Sequence, residues 1–154
     1  MNNIKRINIV LNYIEEKLCE DLNEEAIEKI VCCNFQQFLR IFSYVTGISL
    51  YEYIRRRKLT AAAMELKYNK QNIIDIAICY GYDTHSGFSR AFKMYHKATP
   101  TEVINGIKEP KVFDRLFFLN PSSANSEIYR IEKGEVKMAK LTHIEFKKLS
   151  HTRL

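Results

Sequence analysis

The sequence predicts an all-α protein that contains two similar halves. Apolar residues recur every three or four positions up to about residue 106, which is the spacing of amphipathic helices. Only 5 Gly and 3 Pro occur in 154 residues, too few for a collagen-like or loop-dominated chain. A pentapeptide of the form Phe-x-Arg-x-Phe occurs in two predicted helices, 50 residues apart, which indicates an internal repeat.

Length and composition limit the class of protein. A chain of 154 residues suffices for one compact domain, or for one domain with an appendage. No uncharged apolar run approaches the length of about 18 residues that suggests a membrane span. The first residues lack the apolar block and cleavage site of a signal peptide. We therefore expect a cytoplasmic protein without membrane contact.

Cysteine and histidine usage argues against a metal site. The four histidines are scattered, no Cys-x-x-Cys occurs, and no histidine lies near a cysteine pair. We expect no metal and no cofactor. We also expect the four cysteines to be buried reduced thiols: Cys19, Cys32, Cys33 and Cys79.

Caps and stops divide the chain up to about residue 106 into seven predicted helices. Six short polar residues stand directly before helical segments and are the predicted N-caps: Asn23, Asn34, Ser49, Asn72, Thr84 and Thr99. Pro100 follows the last of them at its favoured first helical position. Gly47 and Gly81 are the predicted stops.

The tail departs from this pattern. Pro110, Pro121 and a run of Ser and Asn predict a loop or linker. Beyond it, Ile128–Glu132 and Glu135–Met138 flank a Lys-Gly pair, which predicts a β-hairpin or, alternatively, a frayed helix.

The repeated pentapeptide lies in two helix-turn-helix patterns. Phe38–Phe42 recurs as Phe88–Phe92, and each copy follows a short helix and a tight break. Helical projection gives each copy an inward face. In the first copy it consists of Phe35, Phe38, Leu39, Phe42 and Val45. In the second it consists of Phe88, Ala91, Phe92 and Tyr95.

The outward faces carry side chains suited to DNA. In the first copy they are Gln36, Gln37, Arg40, Ser43 and Tyr44. In the second they are Ser86, Ser89, Arg90 and Lys93, with His85 at the edge. Arg suits guanine and Gln suits adenine, so Gln36, Arg40 and Arg90 are the predicted base readers. Lys93 and the helix N-termini at Asn34 and Thr84 are the predicted phosphate contacts.

Charge and helix length agree with a polyanionic partner. Residues 29–107 hold eleven basic and five acidic residues, a net charge of +6. Part of this is the basic run Arg55–Lys58 on the connecting helix, some of which we expect to pair with acids such as Glu52. That helix of roughly 18 to 20 residues spans about 30 Å, close to the roughly 34 Å of one DNA turn. One chain could then read two half-sites without a symmetric partner.

Two ordered sets of motifs complete the pattern. The first half carries Phe38-x-Arg40-x-Phe42, Thr46-Gly47-x-Ser49, Tyr53-Ile54-x-x-Arg57 and Ala63-x-x-Leu66. The second carries Ile73-x-x-Ile76-Ala77-x-x-x-Gly81-Tyr82, Phe88-Ser89-Arg90-x-Phe92-Lys93 and Thr99-Pro100. Over about residues 4–106 the chain resembles the DNA-binding domain of the AraC/XylS family of bacterial transcription regulators.

The resemblance implies two helix-turn-helix subdomains joined by a linker helix, double-stranded DNA as partner and, more weakly, activation through RNA polymerase. The resemblance does not indicate which small-molecule effector, if any, the protein binds. By family pattern, seven residues occupy base-reading positions: Gln36, Leu39, Arg40, His85, Ser86, Ser89 and Arg90. Cys32 stands where the family usually has glycine in the first turn, so the first motif is expected to be strained and less regular. Lys97 stands where glycine is usual before Thr99-Pro100.

The resemblance also bears on domain organisation. We expect the DNA-binding domain over residues 1–107, a linker over 108–126 and a tail over 127–154. Glu127–Glu132 is weakly similar to the opening strand of a gyrase-inhibitor-like effector domain. The tail is then truncated, degenerate, or an element that docks or dimerises.

Two other classes were weighed against a DNA-binding regulator. An enzyme is disfavoured because the sequence shows no Gly-rich phosphate loop, metal-ligand cluster or nucleophile triad. A helical adaptor that has lost specific DNA readout is the main alternative. It predicts that Arg40→Ala and Arg90→Ala leave function untouched.

Overall fold

The structure, a computed structural model, describes residues 3–119, 128–132 and 135–139. These residues form seven helices: α1 (Asn3–Glu16), α2 (Glu24–Val31), α3 (Phe35–Thr46), α4 (Leu50–Asn69), α5 (Ile73–Cys79), α6 (His85–His96) and α7 (Pro100–Ile104). They also form three short strands: β1 (Phe118–Leu119), β2 (Ile128–Glu132) and β3 (Glu135–Ala139). In this part of the chain, no helix is long and apolar enough to cross a bilayer.

The chain divides into two compact units, and each contains one helix-turn-helix motif. The first unit holds α1, α2, α3 and the three strands, with the motif formed by α2 and α3. The second holds residues 17–22, α4 from Glu52 onwards, and α5 to α7, with the motif formed by α5 and α6. The predicted all-α class, with seven helices and two helix-turn-helix motifs, is confirmed.

Local capping determines where the helices begin. Five predicted N-caps accept a hydrogen bond from an amide two or three residues further on: Asn23, Asn34, Asn72, Thr84 and Thr99. Thr99 forms a capping box, because Glu102 accepts a bond from the Thr99 amide in return. The predicted stops at Gly47 and Gly81 have left-handed backbone, with φ of 76° and 84°.

The buried face of α3 differs from its projection. Its buried residues are Phe35, Phe38, Ile41, Phe42 and Thr46. Leu39 and Val45, predicted to face inward, are only half-buried. Projection places Ile41 and Leu39 at similar angles on opposite sides of the Phe38–Phe42 stripe. The neighbouring helices cover the Ile41 side, and the sequence pattern alone does not say which side is covered.

Smaller differences of the same kind occur elsewhere. Ala91, predicted to face inward on α6, is half-buried, whereas His96 is buried. The Nε2 atom of His96 lies 3.0 Å from the carbonyl oxygen of Leu59. Burial lowers the pKa of His96, which favours the neutral imidazole in this position.

The strands form an antiparallel sheet in the order β1-β2-β3. β2 and β3 pair from Ile128 with Ala139 to Glu132 with Glu135, as the predicted hairpin requires. The predicted turn residues lie outside the described part of the chain. β1 is fastened to α1, because the Asn8 amide donates to the Phe118 carbonyl oxygen at 2.7 Å and accepts from the Phe118 amide at 2.9 Å.

Phe113, the last residue of the second unit, packs against α4 of the same unit. The amide of Phe113 donates to the Thr60 hydroxyl at 3.1 Å, and Arg57 donates to the Phe113 carbonyl oxygen. The ring of Phe113 meets that of Tyr53 edge to face, with centroids 6.0 Å apart. Residues up to 119 of the predicted linker are therefore held by specific contacts in each unit.

The prediction of four buried reduced thiols is wrong for Cys19 and Cys79, which are bonded to each other, whereas Cys32 and Cys33 are free thiols as predicted but are not buried. Cys19 is exposed and forms a disulfide with half-buried Cys79, with Cα atoms 4.9 Å apart. Cys32 and Cys33 are free thiols, and the first is exposed. The pairing partners are 60 residues apart in sequence, so local spacing gave no sign of the bond. The second unit brings them together by placing residues 17–22 against the end of α5.

Candidate nucleic-acid interface

α3 presents its predicted contact residues on one side. Gln36 and Arg40 are exposed, and they lie one helical turn apart on the same face. On the opposite side, the fully buried rings of Phe38 and Phe42 have centroids 6.0 Å apart. These two rings fix the rotation of α3 about its axis, so the outward residues keep one orientation.

The remaining predicted residues of the first motif are less open. Gln37 and Leu39 are half-buried, whereas Asn34 is exposed. Tyr44 continues the outward face and is 69% exposed. The outward face of α3 therefore combines amide, aromatic and aliphatic groups with one cation, Arg40.

α6 presents a more strongly charged face. His85, Ser86, Arg90 and Lys93 are exposed, and Ser89 is half-buried. Beneath them, the rings of Phe88 and Phe92 are 5.5 Å apart and fully buried.

The ring of Tyr82, in the turn before α6, meets the ring of Phe88 edge to face at 5.3 Å. This aromatic contact ties the turn to the recognition helix in the second motif.

The basic face of α6 continues beyond the predicted residues. A shallow, open depression of about 390 Å³ is lined by Arg90, Lys93, Met94 and Lys97. Met94 is 67% exposed, and Lys97 is also exposed. The sequence reasoning missed these two residues, although Arg90, Met94 and Lys97 follow the helical spacing i, i+4 and i+7.

The two helix N-termini differ in charge. At α3, the Asn34 side chain accepts from the Gln37 amide at 2.8 Å, and a Glu28 carboxylate oxygen accepts from the Phe35 amide at 2.7 Å. Because Glu28 is an anion, it reduces the attraction of this helix end for a phosphate. Glu28 was missed by the sequence reasoning, since its reach across the turn depends on the backbone path.

At α6 the capping group is neutral. The Thr84 hydroxyl accepts from the Gly87 amide at 3.0 Å. The capping group of α6 therefore does not itself oppose the positive potential of the helix end, unlike the Glu28 carboxylate at α3.

The turns of the two motifs also differ. Cys32 ends α2 in the left-handed conformation with φ of 56°, and its amide donates to the Glu28 carbonyl oxygen at 2.8 Å. A residue with a Cβ atom pays about 1–2 kcal/mol for this conformation. Gly81 takes the left-handed conformation in the second turn, where a Cβ atom is absent.

The basic run on α4 is largely engaged within the protein. Arg55 and Arg56 both bond to Glu52, at 2.9 and 2.7 Å, as predicted for this acid. Arg57 donates to the carbonyl oxygen of Phe113. The hydrogen bond from Arg55 is the main cause that lowers the pKa of Glu52 to about 2. Arg55 and Arg56 are therefore engaged within α4, and Arg57 links α4 to the segment before β1.

A metal site is not formed within the described ranges, where no cluster of three or more His, Cys, Asp or Glu residues has suitable geometry. The outward faces of α3 and α6 each combine exposed polar side chains with at least one cation.

Comparison with known proteins identifies the family. A family model described as a helix-turn-helix domain matches residues 27–106, which is more than half of the chain. The SoxS regulatory protein of Salmonella typhimurium is 33% identical over 102 residues, covering 66% of this chain and 95% of SoxS. The chain belongs to the AraC/XylS family of bacterial transcription regulators.

Two further proteins are similar to this chain. The Tn10 TetD protein of Escherichia coli is 39% identical over 92 residues, covering 60% of this chain and 67% of TetD. An AraC-type regulator from Chromobacterium violaceum has the same fold, with a TM-score of 0.61 and 20% identity over 70% of this chain and 96% of that one. As a member of the AraC/XylS family, the protein is a DNA-binding transcription regulator.

Proposed function

We propose that the protein reads a bipartite DNA site, with α3 in one major groove and α6 in the next. The observation that supports this most is the repeat itself. Each unit carries one helix-turn-helix motif, and each motif exposes an arginine at the same place in the repeat, Arg40 and Arg90. One chain then supplies both readers, so a monomer on DNA is sufficient.

The contact residues divide by chemistry. Gln36, Arg40 and Arg90 carry the donor and acceptor patterns that discriminate adenine and guanine in the major groove. Half-buried Leu39 offers an apolar surface suited to a thymine methyl group. These side chains form the proposed direct readout.

Other exposed residues are proposed to position the duplex. In the second motif, Lys93 and the α6 N-terminus at Thr84 suit phosphates, with His85, Ser86 and Ser89 beside them. In the first motif, Asn34 and Gln37 flank a helix end that already holds the Glu28 carboxylate. We therefore assign most of the phosphate contacts to the second motif.

The remaining family-based expectations are part of the same proposal. The DNA-binding domain is assigned to residues 1–107, followed by a linker and a tail. The protein is placed in the cytoplasm, where bacterial DNA lies, and is taken to activate transcription through RNA polymerase. Transcription in vitro from a selected site, with and without the protein, tests this, and reduced transcript would indicate a repressor.

Selection of bound duplexes from a random pool tests the bipartite reading. We expect a site of about 20 base pairs with two motifs one helical turn apart. Fluorescence anisotropy with Arg40→Ala and Arg90→Ala then shows which DNA motif each unit contacts. Lys5→Ala is the control, because Lys5 is an exposed cation on α1. A single recovered motif would contradict bipartite reading, and no enrichment would favour the adaptor.

A further inference from the structure

We propose that Cys19 and Cys79 form a reversible oxidation site whose disulfide fastens residues 17–22 to the end of α5 and stabilises the second helix-turn-helix motif. The inference concerns regulation of the DNA-binding surface, and its functional part rests on the proposed DNA reading by α6. Its first part, the oxidation site itself, stands on the geometry of the second unit alone.

The geometry selects this pair among the four cysteines. The Cα atoms of Cys19 and Cys79 are 4.9 Å apart, within the range of about 4.4–6.8 Å that a disulfide spans. Cys32 and Cys33 stay free thiols in the same structure. Cys19 is exposed, so an oxidant can reach its sulfur, and half-buried Cys79 is held next to it by α5.

Cys79 lies where a disulfide can stabilise the second helix-turn-helix motif. Cys79 is the last residue of α5, a helix of seven residues, and the turn with Gly81 leads directly into α6. Only Ile76 and Ala77 of α5 are buried.

A helix this short depends on tertiary support, because nucleation in isolation is unfavourable. On its other side, Ile74 and Ile78 are 51% and 64% exposed. A disulfide at the end of α5 therefore adds a covalent constraint to a helix that is stabilised by few buried side chains.

In the expected compartment, the cytoplasm, we expect the disulfide to form only when an oxidant is present. Bacterial DNA lies in a reducing cytoplasm, where protein disulfides are mostly transient, catalytic or redox-sensing. Hydrogen peroxide, the proposed oxidant, converts the Cys19 thiolate to a sulfenic acid and releases hydroxide. The Cys79 thiol attacks that sulfur, the disulfide forms and water leaves. A dithiol reductant reverses the bond by thiol–disulfide exchange and is itself oxidised to a disulfide.

Oxidation preserves the DNA-binding fold. The disulfide is present together with intact α5, turn and α6. We therefore expect the oxidised protein to bind the second DNA motif more tightly than the reduced protein, because α5 opens less often. The first motif contains neither cysteine, so its contacts should respond little.

The test uses the full chain with Cys32→Ser and Cys33→Ser, so that only the proposed pair remains. Peroxide treatment should remove two hydrogen atoms by intact mass, and peptide mapping should link Cys19 to Cys79. Dithiothreitol should restore the mass. Hydrogen exchange of the α5 amides should slow by about tenfold or more on oxidation. Further Cys19→Ser or Cys79→Ser changes should abolish both responses.

Three results would overturn the proposal or its parts. Absence of the cross-link after peroxide treatment would overturn the oxidation site. A cross-link that leaves α5 exchange unchanged would overturn the stabilising role, and unchanged affinity for the second motif would overturn the regulatory role. If mass and exchange respond but neither form prefers any DNA sequence, the oxidation site is supported and the proposed DNA reading fails.

Discussion

In the first helix-turn-helix motif the turn is closed by Cys32 in the left-handed conformation, whereas the second turn uses Gly81. The first recognition helix begins beside the Glu28 carboxylate, whereas the second begins at the neutral Thr84 hydroxyl. The first motif therefore has a strained residue in its turn and a carboxylate bonded to the start of α3, whereas the second has glycine in its turn and a hydroxyl at the start of α6. The two motifs share a pair of packed aromatic rings on the buried side of the second helix and differ on the surface proposed to contact DNA.

The charges on the outward faces extend this contrast. α3 offers one outward cation, Arg40, whereas α6 offers Arg90 and Lys93, with Lys97 directly after its last residue. We infer that the two motifs contribute unequally to the free energy of DNA binding. The second supplies most of the salt-dependent attraction to phosphates, and the first contributes mainly base discrimination.

The largest expected effects come from the two arginines. Arg40→Ala and Arg90→Ala should each weaken binding to the selected site by about 1–3 kcal/mol and relax one motif. Anisotropy titrations against sites mutated in either motif measure this, with Lys5→Ala as the unchanged control. Uniform weakening on every sequence would instead make both arginines phosphate contacts.

The strain in the turns predicts effects of opposite sign. Gly81→Ala places a Cβ atom on left-handed backbone but also removes freedom from the unfolded chain, so it should lower the free energy of unfolding by about 0.5–1 kcal/mol. Cys32→Gly removes the same strain but adds freedom to the unfolded chain, so it should raise that free energy by about 0.5–1 kcal/mol. Urea unfolding of both variants measures these changes in the free energy of unfolding. If both variants changed it in the same direction, the proposed difference in strain between the turns would be refuted.

The unequal charges predict a difference in salt dependence. Lys93→Gln and Lys97→Gln should each reduce the slope of log K against log salt by about 1, without loss of sequence preference. Lys97→Gln keeps the left-handed backbone at this position, where φ is 57°, so it isolates the charge. Lys5→Gln is the matched control, and an equal change in its slope would remove the special role of α6.

The smallest expected effect concerns the N-terminus of α3. Glu28→Gln keeps an acceptor for the Phe35 amide but removes the negative charge. Binding should strengthen by about 0.3–1 kcal/mol at low salt, because the helix end then attracts phosphate. Titrations at two salt concentrations measure it. Weaker binding would show that Glu28 helps to position α3 more than it repels DNA.

Local features were predictable from the sequence. The caps at Asn34 and Thr84 depend on groups three residues apart, and the stops at Gly47 and Gly81 depend on one residue's own freedom. Hydrophobic spacing likewise located the recognition helices. The Arg56–Glu52 pair followed from its helical spacing.

Features that join distant segments were not predictable. Nothing near Cys19 indicates a bond to Cys79, and nothing near Glu28 shows that it reaches the Phe35 amide. Leu39 was misplaced because a helical projection does not show which side its neighbours cover. The contact residues themselves stay predictions, because base readout depends on the partner as well as on the fold.

The bonds between Asn8 and Phe118 have a consequence for how the chain is made. They join positions 110 residues apart, and the whole 52–113 segment lies between them. During synthesis, α1 emerges from the ribosome long before its partner exists. All residues of the second unit have been synthesised once position 113 is reached. That unit can therefore finish folding while the side-chain amide of Asn8 is still hydrogen-bonded to water. The docking of β1 is then a late step, and the unit that begins the chain is the last one completed.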